Sequence, residues 1–229
     1  KATCKAEGLR NLKCRRCGET KKVVLVKTHQ FSSWQTAKDA TVFAPAVQIR
    51  TCNVCGYKET RNNGKKLTAT MKVNAAKLPL KIKQKTTVLK VSGLANGDYV
   101  KTWTTSNKKI VTVTSKGTIK GLKAGKAKVT ITLASGKKQV VNVTVQKRAV
   151  KTTKITGIAS KATLKKGKKL TLKPVISPIT SLQKVTYTTS NKKVATVTAN
   201  SVITAKKKGT ATITVKSGSK SKKIKITVK

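Results

Sequence analysis

Apolar and polar residues alternate one for one along much of the second half of the chain. Val129, Ile131 and Leu133 share one side of an extended segment, and Lys128, Thr130 and Thr132 share the other. Val141, Val143 and Val145 repeat the scheme, as do Ile213 and Val215. A period of two marks a half-buried β-strand, and the Lys/Thr positions predict a solvated outer face. Turn formers separate these runs at Ser106-Asn107, Ser115-Lys116-Gly117, Ala134-Ser135-Gly136 and Ser217-Gly218. Several short strands in a stretch of about 80 residues predict an antiparallel sandwich, because each sheet must bury its apolar face against another.

The pattern occurs twice. Thr102 to Val113 reads TWTTSNKKIVTV and Thr186 to Val197 reads TYTTSNKKVATV, an offset of 84 residues. The offset continues through Gly125–Ile131 and Gly209–Val215, and upstream it sets Leu80 against Leu164 and Val88 against Leu172. A slip of one residue then brings Val141–Val145 against Ile224–Val228. The predicted architecture is all-β: two tandem sandwiches over residues 65–149 and 150–229, joined by a short linker at Gln146 to Thr153. A small cysteine-bearing segment, residues 1–64, precedes them. Trp103 and Tyr187 occupy equivalent positions, which favours core packing over a sugar-stacking pair.

A Thr-rich strand, then SNKKIVTV, GTIKGLKAGKAKVTI and a closing VVNVTV strand together resemble the bacterial immunoglobulin-like domain, group 2. Its "G-x-A-x-V/I-T" strand corresponds here to Gly125–Thr130 and Gly209–Thr214. The resemblance covers about residues 67 to 229. It implies a β-sandwich and a place in bacterial surface proteins or secreted multidomain enzymes, as a stalk, spacer or binding unit. It fixes no ligand.

All five cysteines lie in the first segment, which is itself a repeat at an offset of 38 residues. Cys14-x-x-Cys17-Gly18 aligns with Cys52-x-x-Cys55-Gly56, and Ala2-Thr3-Cys4 aligns with Ala40-Thr41-Val42. Each C-x-x-C-G turn aims two thiolates at one point, a spacing suited to tetrahedral zinc. The simplest site is Cys14, Cys17, Cys52 and Cys55, and a rival is Cys4, Cys14, Cys17 and His29. Disulfides are the other reading, although five is an odd number and the doubled knuckle spacing favours zinc. Either way the segment reads as a zinc-ribbon-like or disulfide clamp on a piece of chain too small to fold on its own core. Ala2-Thr3-Cys4, Cys14 to Gly18 and His29-x-x-x-x-Trp34 also resemble short repeats of Gram-positive surface proteins. The second unit departs from that pattern, with Val42 for the cysteine and no histidine after Cys55.

Charge changes the picture most. There are 53 Lys+Arg against 5 Asp+Glu, a formal +48, and only six of the cations are Arg. No acidic residue follows Asp98. A lysine surface suits diffuse attraction of polyanions, where an arginine fork would suit bidentate reading of bases or phosphates. The densest runs are Lys165-Lys166, Lys168-Lys169, Lys206-Lys207-Lys208 and Lys222-Lys223, the candidate polyanion-binding residues. His29 is the one histidine, equally readable as a ligand or a packing residue, and the sandwich region holds one acid, Asp98. That leaves no carboxylate pair for glycoside chemistry and no oxygen cage for calcium. There is also no phosphate loop or dinucleotide fingerprint, so an enzyme is not expected.

No apolar run is long enough to span a membrane and no signal peptide opens the chain. Lys1 in place of Met points to a processed product or a piece of a longer multidomain protein. The expected function is that of a non-catalytic module on the outside of a Gram-positive bacterium. It would act as stalk, tether and adhesin, binding anionic cell-wall or host glycan polymers such as teichoic acid, sulfated glycans or mucins. The alternative is a nucleic-acid-binding protein with a zinc knuckle and a basic face; non-specific binding to nucleic acid in vitro is expected in either case.

Overall fold

The computed structural model describes residue 4, residues 6–25 and residues 28–229, and every regular element among them is a β-strand. Ala2 and Thr3 of the first motif lie outside the described residues. Two compact units emerge: residues up to Met71 together with Gly93–Tyr99, and Lys72–Ser92 together with Val100–Lys229.

The first unit carries β1 (Gly8–Lys13), β2 (Thr20–Leu25), β3 (Gln35–Lys38), β4 (Ala46–Thr51) and β5 (Lys58–Asn63). β1 and β2 form one hairpin, and β3, β4 and β5 form an antiparallel meander. Adding 38 to the bounds of β1 and β2 gives those of β4 and β5, so the sequence repeat is a structural one. The unit buries little apolar surface; Val42 and Cys52 are its buried hydrophobic residues among those described. The loop Gly93–Tyr99 folds onto it. Asn96 accepts the Val42 N–H through its carbonyl (3.1 Å) and donates its side-chain amide to the Ala40 carbonyl (3.0 Å). The cysteine unit therefore takes in more chain than residues 1–64.

The second unit holds both sandwiches. The first comprises β6 (Lys72–Val73), β7 (Lys77–Lys81), β8 (Lys85–Thr86), β9 (Val91–Ser92), β10 (Val100–Thr105), β11 (Val111–Val113), β12 (Ile119–Gly121), β13 (Gly125–Leu133) and β14 (Lys138–Gln146). The second comprises β15 (Lys154–Thr156), β16 (Lys161–Leu164), β17 (Lys169–Thr171), β18 (Val175–Ser177), β19 (Val185–Thr189), β20 (Ala195–Val197), β21 (Val202–Ala205), β22 (Gly209–Ser217) and β23 (Lys220–Val228). Each sandwich sets a four-stranded sheet, β10-β13-β14-β7 or β19-β22-β23-β16, beside a three-stranded one, β11-β12-β8 or β20-β21-β17. Inward residues of the long strands are fully covered: Val129, Ile131, Leu133 and Val141 in the first, Ile213, Val215, Ile224 and Ile226 in the second. Burying a Val, Leu or Ile side chain is worth about 1.5–3 kcal/mol, so these rows carry the fold. The one-residue slip falls in a hairpin. Val129 faces Val141 and Ile213 faces Ile224, while the turn at Ala134–Gly136 shortens to Gly218-Ser219.

The repeated motifs have physical reasons. Ser106 exchanges two bonds with Lys128, main chain to carbonyl and Lys128 N–H to Ser106 Oγ, both 2.9 Å, and Ser190 does the same with Thr212. Asn107 and Asn191 each accept an N–H two residues on at 3.0 Å, from Lys109 and Lys193, and so close an Asx turn. Gly125 and Gly209 have φ of +152° and +142°, and a Cβ there would lie 2.7 Å from Ile110 and 3.0 Å from Val194. Trp103 stands opposite Ile131 on the inner side of β10, where a Cβ on Gly117 would touch its ring at 2.8 Å. Tyr187 packs against the second core. Both aromatics are packing residues.

Gly209→Ala is expected to destabilise the second sandwich by about 1–3 kcal/mol through strain at a positive φ and crowding of Val194. Equilibrium urea unfolding reads this, with Thr210→Ala, an exposed neighbour, expected within about 0.5 kcal/mol of the parent.

Candidate metal centre and lysine-rich surface

The two C-x-x-C-G turns share one main-chain form. At the tip of the first hairpin the Cys14 N–H donates to the Glu19 carbonyl (2.7 Å) and the Gly18 N–H to the Cys14 carbonyl (3.1 Å). At the tip of the β4–β5 hairpin Cys52 donates to Tyr57 (2.8 Å) and Gly56 to Cys52 (2.9 Å). Both glycines sit at φ +75°, a left-handed conformation that glycine adopts without steric cost.

Their surroundings differ. Around the second turn the sulfurs of Cys4, Cys52 and Cys55 and a ring nitrogen of His29 all lie within 4.8 Å of one another. The segment carrying His29 is pinned along the hairpin: Asn53 N–H donates to the Gln30 carbonyl (2.8 Å), Ser32 N–H to the Thr51 carbonyl (2.9 Å), and Phe31 bridges Cys52. The imidazole stacks on Tyr57 with centroids 4.7 Å apart, and its Nδ1 lies 3.4 Å from the Cys55 sulfur. Beside it Arg50 lies over the rings of Phe31 (4.1 Å) and Trp34 (4.6 Å) and forms a 2.6 Å ion pair with Glu59. This stack does much of the work that an apolar core does elsewhere.

Donors around a tetrahedral ion at about 2.3 Å stand roughly 3.5–3.8 Å apart, so rotamer-scale shifts close the set on a metal. Three thiolates and one imidazole suit a borderline-soft ion. One thiol, Cys52, is already polarised for it. Burial works against the Cys52 thiolate, but the Val54 and Cys55 N–H groups and the His29 ring outweigh it and hold this thiol near 6. Burial, with contacts to Cys55 and Cys52, pushes Cys4 up to about 11.

The structure thus divides the residues expected to form one site. It brings Cys52 and Cys55 together with Cys4 and His29. Cys14 and Cys17 stay outside this cluster, exposed at the tip of the first hairpin. The expected set Cys14, Cys17, Cys52 and Cys55 does not assemble, nor does Cys4, Cys14, Cys17 and His29. The physical reason is the segment around His29: residues 30–32 lie along the second hairpin and hold the histidine beside Cys55. The Cys17 thiol, together with the N–H groups of Cys17 (3.4 Å from the Cys14 sulfur) and Arg16, lowers the Cys14 thiol to about 7.

The lysines separate into two groups. The turn Lys165–Lys168 meets the loop Lys206–Lys208 through paired bonds, Gly167 N–H to Ala205 O (2.8 Å) and Ala205 N–H to Lys168 O (3.0 Å). Lys165, Lys166, Lys168, Lys169, Lys206, Lys207 and Lys208 are all exposed at this one end of the second sandwich. Lys222 and Lys223 lie on β23 near the opposite, hairpin end, where Ser217 faces Lys220.

Each sandwich carries a Ser-Asn turn and a glycine packed against the apolar residue after it, repeated at one offset. A family model described as bacterial Ig-like domain (group 2) matches residues 68–145 and 149–228. The chain belongs to this family. Bacterial Ig-like domains of group 2 account for both sandwiches, and the family suggests an extracellular or surface setting. A kappa-carrageenase of Pseudoalteromonas carrageenovora is 49% identical over 71 residues, which are 31% of this chain and 18% of that protein. The chain thus spans less than a fifth of this relative. Among solved structures, the S-layer protein rSbsC is 17% identical over 96% of this chain and 37% of its own, with a TM-score of 0.35. Human protocadherin-24 EC1-2 is 13% identical over 71% of this chain and 99% of its own, with a TM-score of 0.29. No helix among the described residues is long and apolar enough to cross a membrane.

In the reduced, metal-free chain Cys14 is expected to alkylate fastest. Its rate rises as pH increases through about 7, because the thiolate is the nucleophile. Cys52, though ionised at lower pH, is 1% exposed and lags behind it. Mass mapping after timed iodoacetamide labelling checks the order.

Proposed function

We propose that this chain is a non-catalytic, surface-exposed stalk and adhesin module of a Gram-positive bacterium, part of a larger multidomain protein. It binds anionic glycan or cell-wall polymers, such as teichoic acid or sulfated and mucin glycans, through lysines. The observation that carries the reading is the lysine end of the second sandwich. At the equivalent end of the first sandwich, 84 residues earlier, stand Ile82, Gln84, Leu122 and Ala124. There Gln84 donates its side-chain amide to the Thr180 carbonyl of the second sandwich (2.8 Å). In the second sandwich those four positions are Lys166, Lys168, Lys206 and Lys208. A surface that meets a neighbouring domain in one copy, and there already carries Lys81, Lys83, Lys85 and Lys123, has gained four further cations in the other. With no acid after Asp98, nothing in the second sandwich neutralises it, so an external polyanion relieves the repulsion. That a carrageenase carries a related segment fits a module that works among anionic glycans.

The metal in this reading is one structural zinc, held by Cys4, His29, Cys52 and Cys55, in a unit too small for a core of its own. About one zinc per chain is expected by metal analysis, lost in Cys52→Ser. Acidification also releases it, since protons compete for thiolate and imidazole as pH falls. Intact disulfides without metal would overturn this part.

Binding is tested on teichoic acid, kappa-carrageenan, an uncharged glycan and duplex DNA, each at low and high salt. Changing Lys165, Lys166, Lys168, Lys206, Lys207 and Lys208 to Gln is expected to weaken binding to anionic glycan at least tenfold. It should also flatten the salt dependence by roughly one unit of log–log slope per contacting lysine. Removing the same charge from Lys108, Lys116, Lys120, Lys123, Lys137 and Lys138 should cost far less. Equal losses in both variants would reduce the module to a diffusely charged spacer. Selective retention of DNA at high salt would favour the nucleic-acid alternative.

A further inference from the structure

The first hairpin has the form of the second but lacks its surroundings. β4 is flanked on both edges, by β3 and β5, whereas β1 is paired only with β2 among the described residues. Segment 30–32 lies along the second knuckle, and no described segment lies along the corresponding edge at Lys13–Arg15. Every residue of β4 is at least half-covered, while in β1 only Gly8 is buried. Leu9, Leu12 and Val24 are 64%, 45% and 56% exposed on this hairpin. Cys14 and Cys17, in the same turn geometry that presents Cys52 and Cys55 to Cys4 and His29, face solvent with no third or fourth ligand among the described residues. Three independent features, an open strand edge, uncovered apolar side chains and an incomplete donor set, coincide at one hairpin.

We infer that Cys14 and Cys17 are half of a metal site shared between repeats, completed by the Cys and His of another copy of this same repeat. That copy stands to Cys14–Cys17 as Cys4 and His29 stand to Cys52–Cys55, and its trailing strand pairs with β1 as β3 pairs with β4. Each metal then bridges consecutive repeats, one supplying Cys and His and the next supplying C-x-x-C. The second repeat cannot pass the pattern on. Its positions equivalent to Cys4 and His29 are Val42 and Leu67, so the array of metal bridges stops there, before the sandwiches. This inference rests on the Cys4–His29–Cys52–Cys55 set being a metal site.

The test compares the 229-residue chain with one extended by a further copy of residues 1–38 placed before Lys1, both purified with zinc. The parent is expected to hold one zinc with Cys14 open to alkylation. The extended chain should hold two, with the original Cys14 and Cys17 protected. Replacing the added copy's cysteine and histidine, at the places of Cys4 and His29, by Ser and Ala should return the count to one and re-expose Cys14. An extended chain that still holds one zinc, with Cys14 reactive, would overturn the inference while leaving the first site intact. Two zincs in the parent would overturn it as well. A parent with none overturns the site it rests on, and the inference with it.

Discussion

Forty-eight uncompensated positive charges can be carried on a chain of this length only if no ammonium group has to leave water. The strict two-residue period meets that constraint. β13 and β22 give one side to Val, Ile, Leu and Ala and the other to Lys and Thr, so the lysines of these central strands point outward from their sheets. The stem of each lysine adds cover to the sheet surface while its charge stays hydrated. Between β22 and β23 threonine also keeps charges apart across the strands, Thr212 standing opposite Lys225 and Thr214 opposite Lys223. The core can then be built almost wholly from β-branched residues and leucine, with few aromatics. A slip of one residue in any long strand would bury a lysine row, so register and charge are set by the same alternation.

The sandwiches were legible because their signals are local. Alternation and the Asn turn act within a few residues, the Ser and Gly signals act between neighbouring segments of one sandwich, and the 84-residue offset displays each of them twice. The hydrogen bonds of Ser106 and Asn107 and the crowding at Gly125 supply their mechanism. Trp103 and Tyr187 were readable as packing residues for the same reason. The knuckles were legible too, since C-x-x-C-G encodes its own turn.

Which cysteines meet was not legible, because that depends on where the chain goes between knuckles. The spacing of Cys14, Cys17, Cys52 and Cys55 suggested that the two pairs face each other. Strand pairing instead lays residues 30–32 along the second hairpin and delivers His29 there. The signal that pointed the right way was the departure at Val42 and Leu67, where the second repeat lacks the donors that the first one has. The lysine runs were likewise visible, but their grouping needed the register of β23. That register puts Lys222 and Lys223 at the far end of the strand from Lys206–Lys208.

One feature of the sheets bears on how such a module behaves when pulled. β7 runs parallel to β14, and β16 parallel to β23, so in each sandwich an early strand lies beside the last one and points the same way. Traction applied through the chain at both ends of a sandwich drags these two strands past each other lengthwise. The bonds between them, from Lys77–Asn142 to Lys81–Gln146 in the first sandwich, are then loaded together in shear rather than unzipped in turn. Strands loaded in this way part all at once rather than bond by bond, so each sandwich resists stretching along the chain as a single unit.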